Sequence, residues 1–553
     1  MACGPFATQP ERTDTLEVIC RIIFAPSPYA TSFCYSGMRS RIATARVMLT
    51  IQPERFAIKV MTKSLVRFLL CGTIMSVCLK VFASEPPTVT QVFRAGEGAH
   101  EGQGIAIAAN GNIIATGQFA GTATFGATTL TNGGSFDHFL AAYSPNGQTL
   151  WAKGAGAAGA DFGQKVIVDK EGNIVVAGVI QGPVNFHGTT LIGFGNQDWF
   201  LAKYSSSGEL IWVRLAGGSE NDQASDVAQD GAGNYFVSGR VNGPANFGGI
   251  TVGVDRQTRC VLVKYDKDGT VIWVRDVAGT DSTAGSGVIA DASGNSFVTS
   301  LIKTGGSGPF LAKYDPAGTQ QWIYITGTGI TFFEEGSSVD FDGAGNLYVA
   351  GRFSAASITF GTSTLSNPKG SPTGFIAKFD SGGVPVWGIK AGARAFDLDV
   401  QADGTIYATG FYNTNGRTIG NETPVADAGS LEVFMAKVST AGELLWMKPS
   451  AEFGGGPSRA VAHTANGSTF AIGESSAELF DFGTFRGGVF IAELKETVVN
   501  APSLSIGIIE KKLRISWPAE FSGYSLETTA SIENPFSEPT IQLEPVPKVA
   551  ILR

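Results

Sequence analysis

The sequence predicts an all-β fold of seven repeated units, because two short strand-like motifs recur together along the chain. The first is a glycine turn that runs into an apolar strand, as in GNIVVAG, and its copies begin at 111, 172, 233, 294, 345, 404 and 467. The second reads roughly FLAKY, and its copies begin at 139, 200, 261, 310, 375, 434 and 490. A unit of this size that cannot bury its own apolar face is typical of a radial array. We therefore expect a seven-bladed β-propeller of four-stranded blades.

Four strands can be recognised within one repeat, here called A to D from the inside outward. In the second copy they are KVIVD, NIVVAG, WFLAKY and ELIWVRLAG, which are rich in β-branched and aromatic residues. The A–B and C–D turns are short and carry glycine where a positive φ is needed. The B–C and D–A connections are longer and should emerge together on one face, called the long-loop face, where we expect the function to lie.

The amino-terminal end of the repeat region predicts how the array closes. The seventh repeat supplies A, B and C strands but lacks the tryptophan-bearing D strand. The stretch TVTQVFRAG at 88–96 matches the sequence of the other D strands, so we expect it to pair with FIAEL of the seventh repeat. This closure would remove the free sheet edges that promote aggregation.

The repeat also carries a tryptophan in its D strand, at Trp151, Trp212, Trp273, Trp322, Trp387 and Trp446. Together these features resemble an exported bacterial β-propeller repeat family, the SBBP type, whose unit reads G-x-D-x-F-[LV]-A-K-Y-x-x-x-G-x-x-x-W. The resemblance covers residues 90–495 and implies architecture rather than activity. A tryptophan in one shared slot indicates packing between blades, in preference to a sugar-stacking platform or a quinone site.

The two ends of the chain differ from the repeats. Residues 61–83 have a basic start, a short apolar run and small residues, which predicts a secretory signal peptide. We therefore expect residues 1–60 to be a leader or a non-native extension, and residues 84–495 to form the propeller. Residues 496–553 predict a small carboxy-terminal β module that is short for a complete sandwich.

Charge argues against two classes of partner. Residues 1–83 hold ten Lys/Arg and four Asp/Glu, so the remainder holds 30 basic and 44 acidic residues and a net charge of −14. Phosphate backbones and anionic lipid surfaces would repel such a chain. We expect no nucleic-acid binding, no membrane insertion after signal cleavage, and a monomer that is secreted, periplasmic or on the cell surface.

Motifs for catalysis or tight metal binding are missing from the sequence. The four histidines lie in unrelated repeat slots without zinc-ligand spacing, and no nucleophile elbow or phosphate loop occurs in a suitable setting. The sequence therefore predicts no catalytic residue and no cofactor, and leaves only calcium open.

Acidic residues give the best repeated polar signal. The candidates placed at matching positions in the D–A connections are Glu101, Asp161 and Asp222. On the same face we expect Asp281, Glu334, Glu335 and Arg394. Such carboxylates could bind calcium or a cationic group, or form an acid/base pair for glycan cleavage. The favoured interpretation is structural, with each carboxylate accepting loop amide hydrogens as a turn lock.

Three functions remain open at this stage. The leading hypothesis is a non-catalytic scaffold that recognises an extracellular protein or a polysaccharide through the long-loop face. The second is an extracellular carbohydrate-active enzyme, a hydrolase or lyase, with carboxylates at the central opening. The third is a structural or adhesive protein of the cell envelope. A shared fold does not separate these functions.

Overall fold

The computed structural model of the protein consists of strands and turns in every residue that it describes, so the predicted all-β class is confirmed. Those residues form two compact units, one from residues 1–85 and 498–553 and one from residues 86–497. Within them no helix has the length and apolar character that a membrane crossing requires. The described residues are 14–21, 44–52, 55–61, 87–254, 257–281, 287–302, 308–326, 335–413, 419, 431–449, 458–478, 486–496, 505–509, 512–516, 526–527 and 549–552.

Three strands precede the repeats. They pair in an antiparallel ladder in the order β1 (Asp14–Arg21), β2 (Thr44–Gln52) and β3 (Arg55–Met61). The predicted signal peptide begins at the last residue of β3, and its residues 62–83 lie outside the described residues.

The repeat region follows the predicted order of short strands. Its first part contains β4 (Thr88–Ile107), β5 (Ile113–Phe125), β6 (Thr128–Thr131), β7 (Asp137–Tyr143), β8 (Thr149–Ala155), β9 (Phe162–Val168), β10 (Ile174–Gln181), β11 (Val184–Phe186), β12 (Thr189–Leu191), β13 (Gln197–Tyr204), β14 (Leu210–Gly218), β15 (Gln223–Gln229), β16 (Tyr235–Asn242), β17 (Ala245–Phe247), β18 (Ile250–Val252), β19 (Thr258–Tyr265) and β20 (Val271–Asp281).

Its second part contains β21 (Gly287–Ala290), β22 (Ser296–Ile302), β23 (Gly308–Tyr314), β24 (Gln320–Ile325), β25 (Glu335–Phe341), β26 (Leu347–Phe353), β27 (Ser357–Phe360), β28 (Ser363–Ser366), β29 (Thr373–Phe379), β30 (Pro385–Lys390), β31 (Arg394–Val400), β32 (Ile406–Asn413), β33 (Leu431–Val438), β34 (Leu444–Pro449), β35 (Ser458–His463), β36 (Ser468–Glu478) and β37 (Arg486–Lys495).

Each repeat folds into a four-stranded antiparallel sheet, numbered here in chain order. Sheets 2 to 6 contain the orders β9-β10-β13-β14, β15-β16-β19-β20, β21-β22-β23-β24, β25-β26-β29-β30 and β31-β32-β33-β34. Strand β14 of sheet 2 also pairs with β17, so the hairpin β17–β18 extends this sheet to six strands. Sheets 1 and 7 share the long strand β4, in the order β35-β36-β37-β4-β5-β7-β8. The first half of β4 is the outer strand of sheet 7, and its second half is the first strand of sheet 1.

The predicted pairing of residues 88–96 with FIAEL is present. Strand β4 pairs antiparallel with β37 from Thr88 opposite Lys495 to Gly96 opposite Val489. The amino-terminal strand therefore completes the sheet whose other three strands come from the end of the repeat region.

The first strands of successive sheets lie beside one another, in the sequence β4, β9, β15, β21, β25, β31 and β35, and β35 contacts β4. Aspartates in these strands accept hydrogen bonds from the backbone of the next first strand. Asp340 Oδ2 lies 2.8 Å from the Val400 nitrogen, and Asp399 Oδ2 lies 2.8 Å from the His463 nitrogen. Side-chain and main-chain groups thus join neighbouring sheets at their inner ends.

Apolar side chains from the facing surfaces of neighbouring sheets form the core. One buried cluster joins Val175 and Leu201 of sheet 2 to Tyr235 and Val261 of sheet 3. The burial of apolar area between sheets is the main favourable contribution to the fold, at roughly 25 cal/mol for each Å² removed from water.

The tryptophans of the outer strands pack across sheets, as their shared slot predicts. Trp151 of sheet 1 lies over Gly208 in the last turn of sheet 2, where an added Cβ would come within 2.8 Å of the indole. The same contact joins Trp212 to Gly269, Trp273 to Gly318, Trp322 to Gly383 and Trp387 to Gly442. Each of these glycines also has a positive φ, so two constraints select it.

The indole nitrogen adds a hydrogen bond to the same turn. Trp273 Nε1 donates to the Pro316 carbonyl at 3.1 Å, and Trp387 Nε1 donates to the Thr440 carbonyl at 3.1 Å. Where the tryptophan is followed two residues later by arginine, that side chain also donates to the turn. Arg275 Nε lies 2.6 Å from the Gly318 carbonyl.

The junction between sheets 7 and 1 keeps this contact with different residues. Phe93 of β4 lies over Gly147, whose added Cβ would come within 2.9 Å of the ring. Gln91 Nε2 donates to the Pro145 carbonyl at 2.9 Å, in place of an indole nitrogen. Strand β4 therefore preserves the contact between sheets although it has no tryptophan at this position.

The lysine of the FLAKY motif forms an ion pair with the turn between the first two strands. Lys203 Nζ lies 2.8 Å from Asp169 Oδ2, which also accepts a hydrogen bond from Tyr235 of the next sheet. These contacts lower the pKa of Asp169 although burial opposes them. In sheet 6 the turn has Gln401 instead of aspartate, and Lys437 binds Glu496 at 2.6 Å.

The insert that the fourth repeat lacks forms a small hairpin in other repeats. The motif seen as TFGATTL folds into β5 and β6, and its equivalents fold into β11–β12, β17–β18 and β27–β28. In the fourth repeat, residues 303–307 lie outside the described residues.

The predicted carboxy-terminal module contributes strands β38 (Ser505–Ile509), β39 (Lys512–Ser516), β40 (Leu526–Glu527) and β41 (Val549–Leu552). Strand β39 pairs antiparallel with β38 and β41, whereas β40 pairs parallel with β3. The expected strand segment LRISW overlaps β39, and the segment YSLET includes β40.

Replacing Phe93 of strand β4 should destabilise the whole repeat region. We expect Phe93→Ala to lower the free energy of unfolding by about 2 kcal/mol, because it removes an aromatic ring packed on Gly147. Urea unfolding followed by circular dichroism measures this loss. The matched control is Thr88→Ala, a truncation at an exposed position of the same strand. Equal stability of the two variants would contradict a stabilising role for Phe93 at the junction of sheets 7 and 1.

Candidate functional site

Two of the predicted acidic residues bind the backbone of their own loops. Asp161 is fully buried and accepts hydrogen bonds from the Ala157 nitrogen at 2.8 Å and the Gln181 nitrogen at 2.6 Å. Asp222 is also fully buried and accepts from the Gly218 nitrogen at 2.6 Å and the Asn242 nitrogen at 2.9 Å. Both carboxylates hold a D–A connection against the end of a second strand.

Burial raises the pKa of both loop aspartates, to about 6 for Asp161 and to about 7 for Asp222. The backbone hydrogen bonds oppose this shift. A second carboxylate adds to it in each case, Asp137 beside Asp161 and Asp198 beside Asp222. The two loops are therefore chemically equivalent.

Glu101 does not share their position, so the predicted equivalence of the three residues is wrong. Glu101 lies within β4, opposite Gln118, whereas the corresponding positions of sheets 2 and 3 hold Phe162 and Gln223. Asp161 and Asp222 each come one residue earlier. The mismatch arises because β4 continues as a bulged strand through the stretch where the other repeats have a loop.

Glu335 and Arg394, both predicted on the binding face, form a direct ion pair. Glu335 begins β25 and Arg394 begins β31, so adjacent first strands hold them together. Glu335 Oε2 also lies 3.3 Å from Nη2 of Arg352, which is opposite it in β26. One buried carboxylate thus links two guanidinium groups.

Glu101 belongs to a second set of ion pairs beside the first. It binds Nη2 of Arg459 and accepts a hydrogen bond from Gln118 at 2.7 Å. Glu474 Oε1 lies 3.9 Å from the same Nη2. Burial raises the pKa of Glu474, and the charge of Glu101 adds to the effect while Arg459 opposes it.

An aromatic ring joins the two sets. The guanidinium carbons of Arg394 and Arg459 lie 4.1 Å and 5.0 Å from the centre of the Phe396 ring. Burial lowers the pKa of Arg394 to about 10, and the positive charges of Arg352 and Arg459 contribute to this shift. We call the group the arginine–glutamate cluster, which comprises Glu101, Glu335, Arg352, Arg394, Phe396, Arg459 and Glu474.

The cluster presents its guanidinium groups outward. The side chains of Arg352, Arg394 and Arg459 are 22%, 22% and 27% exposed, whereas that of Glu335 is 6% exposed. Buried Nε atoms of Arg394 and Arg459 have no hydrogen-bond partner among the described residues. The surface of the cluster is therefore rich in donors, with Glu335 beneath.

Two side chains of the cluster take their orientation from β-bulges in the backbone. Phe396 and Arg459 occupy the extra position of β-bulges, between Ala395 and Asp397 and between Ser458 and Ala460. A bulge turns a side chain away from the regular alternation of the strand. Residues that are distant in sequence consequently meet at the ends of the first strands.

A charged contact also joins the first strands of sheets that are not neighbours. Lys165 of sheet 2 places Nζ 3.2 Å from Asp397 Oδ1 of sheet 6 and 4.0 Å from Asp226 Oδ1 of sheet 3. The carboxylates raise the pKa of Lys165 although burial opposes them. Asp397 also accepts a hydrogen bond from Ser338 at 2.8 Å.

The two remaining predictions for the binding face cannot be placed in the site. Asp281 ends β20 with its backbone opposite Arg259, and its side chain lies outside the described residues. Glu334 lies outside them as well. Of the seven predicted site residues, the structure brings together Glu101, Glu335 and Arg394, and it places Asp161 and Asp222 in loop contacts.

Carboxylate and histidine side chains do not gather into a larger ligand set. Among the residues that the structure describes, no group of three or more His, Cys, Asp or Glu side chains could hold a metal ion. Calcium binding therefore gains no support from the geometry of Glu101, Asp161 or Asp222.

Arg352, Arg459 and Glu474 were missed in the sequence, although a signal for two of them is present. Arg352 and Glu474 directly follow the last glycine of the repeated motif GNLYVAG and its copy GSTFAIG. This position varies, and the other repeats hold Gln118, Val179, Arg240, Leu301 and Phe411. Charge at a variable position of a regular repeat is the feature that could have identified them.

Comparisons with known proteins agree with a repeat architecture. No family model matches the chain. An uncharacterised WD repeat-containing protein of Acanthamoeba polyphaga mimivirus is 24% identical over 307 residues, which is 49% of this chain and 19% of that protein. The chain thus matches about a fifth of the length of this relative.

Two solved structures show low overall similarity to this chain. The Pan2 WD40 domain of Neurospora crassa has a TM-score of 0.39 at 9% identity, covering 75% of this chain and 98% of that one. A gluconolactonase of Xanthomonas campestris has a TM-score of 0.32 at 11% identity, covering 60% and 94%.

The repeated four-stranded sheets and the WD-repeat relative define the class. The chain is an all-β repeat protein of the β-propeller type.

Stability should decrease as the pH rises from about 4 to about 7. The unfolded chain loses the aspartate protons near pH 4, whereas folded Asp161 and Asp222 retain them up to pKa values of about 6 and about 7. The folded state therefore binds more protons in this window, and its advantage is lost as the pH rises.

Asp222→Asn should flatten this dependence, on the order of 2 kcal/mol between the two limits, while losing one amide contact at every pH. Thermal unfolding across the pH range measures the slope. Asp268→Asn, at a side chain that is 69% exposed, is the control that should leave the slope unchanged. An unaltered slope in Asp222→Asn would show that folding does not raise the pKa of this carboxyl.

Proposed function

We propose that the protein is a seven-bladed β-propeller of the exported SBBP type, in which residues 88–96 close the ring. Three observations support this arrangement. The first strands adjoin one another from β4 to β35 and back to β4. Strand β4 belongs to both terminal sheets. Lys165 and Asp397 also meet from sheets 2 and 6, as residues on opposite sides of a narrow central opening would.

The function that fits best is a non-catalytic recognition scaffold, secreted or held at the cell surface, that binds through the long-loop face. The arginine–glutamate cluster carries this proposal, because it breaks the equivalence of the repeats. The first-strand position that holds Glu101, Glu335 and Arg394 has Phe162 in sheet 2 and Gln223 in sheet 3. A ligand that contacts this end would therefore meet one distinctive sector.

The chemistry of the cluster suits binding. Guanidinium groups in fixed positions donate several hydrogen bonds at low entropic cost, which suits a polar ligand. Each glutamate of the cluster already contacts an arginine. These glutamate carboxylates therefore orient the guanidinium donors of the arginines that they contact. The net charge of −14 for residues 84–553 favours an extracellular protein or a polysaccharide over nucleic acid.

Binding of the full chain to an array of polysaccharides and extracellular proteins, with and without calcium, tests this function. We expect a ligand whose binding weakens about tenfold in Arg459→Gln, which loses the contacts to Glu101 and Glu474. The control Lys170→Gln changes an exposed lysine in a hairpin turn and should bind normally. Absence of any ligand, or equal loss in the control, would overturn the proposal.

A carbohydrate-active enzyme is the second candidate, supported by one pair of carboxylates. Glu101 and Glu474 both lie at Nη2 of Arg459, and burial raises the pKa of Glu474. Glycoside cleavage uses one protonated and one ionised carboxyl group. In this alternative Glu474 would protonate the leaving oxygen.

Release of reducing ends from the glycans of the array separates the two functions. The enzyme alternative predicts turnover that falls at least about a hundredfold in Glu474→Gln. The matched control is Glu171→Gln, an exposed carboxylate in the turn between β9 and β10. Binding without release of reducing ends would eliminate the enzyme and leave the scaffold.

A further inference from the structure

The outward surface of the arginine–glutamate cluster has an uneven distribution of charge. Three arginines and three glutamates balance in number, but the arginines are the more accessible around Glu335, which is 6% exposed. Glu101 is 15% exposed and Glu474 is 30% exposed. A ligand at the cluster therefore meets three partly exposed guanidinium groups and one accessible carboxylate, that of Glu474.

The guanidinium groups retain unused capacity. Arg394 and Arg459 each keep a buried Nε without a hydrogen-bond partner among the described residues. Their positive charges also repel each other across Phe396, together with that of Arg352. Because both Nε atoms are shielded from solvent, an anionic ligand would contact the partly exposed remainder of each guanidinium group and reduce the repulsion.

Planar anions match the available donors. A carboxylate accepts two parallel hydrogen bonds from the fork of one arginine. The Phe396 ring holds the two outer forks apart at 4.1 Å and 5.0 Å from its centre. The packed ring and the buried Glu335 limit the movement of Arg394, so the fork is ordered before a ligand arrives.

The neighbouring carboxylate indicates which carboxylate-bearing ligand fits. Glu474 can accept hydrogen bonds from hydroxyl groups next to the bound anion. A sugar acid carries hydroxyls on the same ring as its carboxylate, whereas the side chains of an acidic peptide carry none beside their carboxylates. The alternation of guanidinium donors and a carboxylate acceptor thus favours a sugar acid.

We infer that the arginine–glutamate cluster is a subsite for the carboxylate of an acidic polysaccharide, with Arg394 and Arg459 binding the carboxylate and Glu474 accepting an adjacent hydroxyl. This inference rests on the proposed recognition function and names the ligand class of that site. The guanidinium donors act on the ligand at contact distance, whereas salt screens the more distant negative charges of the chain.

Calorimetric titration of the full chain with tetragalacturonate tests the inference. We expect binding at least about tenfold tighter than that of the neutral maltotetraose, and weakening as the salt concentration rises. Arg394→Lys and Arg459→Lys keep the charge but lose the fork, and each should weaken binding about tenfold. Unchanged thermal unfolding shows that both variants are folded.

Arg214→Lys provides the matched control, because this arginine binds the Gly269 carbonyl at 3.0 Å in a turn of the adjacent sheet. It should bind tetragalacturonate like the unaltered chain. Equal affinity for maltotetraose, or tighter binding of pentaglutamate, would overturn the inference. If the array yields only a neutral glycan or a protein, the recognition function stands and this inference fails. If it yields no ligand, both fail.

Discussion

The contact of an outer-strand aromatic ring with a glycine of the next sheet is the constraint on which the rest of the repeat region depends. The indole comes so close that a Cβ on Gly208 would lie 2.8 Å from Trp151. The glycine must also adopt a positive φ, so no other residue satisfies both demands without strain. Each sheet is thereby fixed against the last turn of its neighbour. The spacing of the repeats follows, since turn and tryptophan must occupy the same level in every sheet.

The exceptions show that the contact itself is required and the tryptophan is not. At the junction of sheets 7 and 1, Phe93 supplies the ring and Gln91 supplies the amide donor. At the junction of sheets 6 and 7, Glu496, which directly follows strand β37, accepts the Trp446 indole hydrogen bond at 3.2 Å. Different residues thus preserve the spacing at the two places where the chain begins and ends its repeats.

The sequence is sufficient to predict this framework because the same strand and turn motifs recur in seven copies. Strand order, the turn glycines, the role of the tryptophans and the pairing of residues 88–96 all follow from residues that recur. Glu101 was misplaced because its strand is bulged, and a one-residue offset cannot be seen in spacing alone. Arg352 faces Glu335 within one sheet, and Glu474 and Arg459 lie in the first two strands of another. The convergence of first strands adds the pairs Glu335–Arg394 and Glu101–Arg459, which the sequence of a single repeat cannot reveal.

The repeats also provide an internal comparison for the charged cluster. At the position of Glu101 and Glu335, sheet 2 has Phe162, and at the position of Arg352 it has Val179, with the same backbone pairing. Apolar residues therefore satisfy the fold at these positions. Partly buried ion pairs add little stability over such residues, because desolvation offsets the attraction between the charges. Folding alone does not account for the charges of sheets 5, 6, 7 and 1. Their placement at one end of the first strands is what the proposed contact with a polar ligand would require.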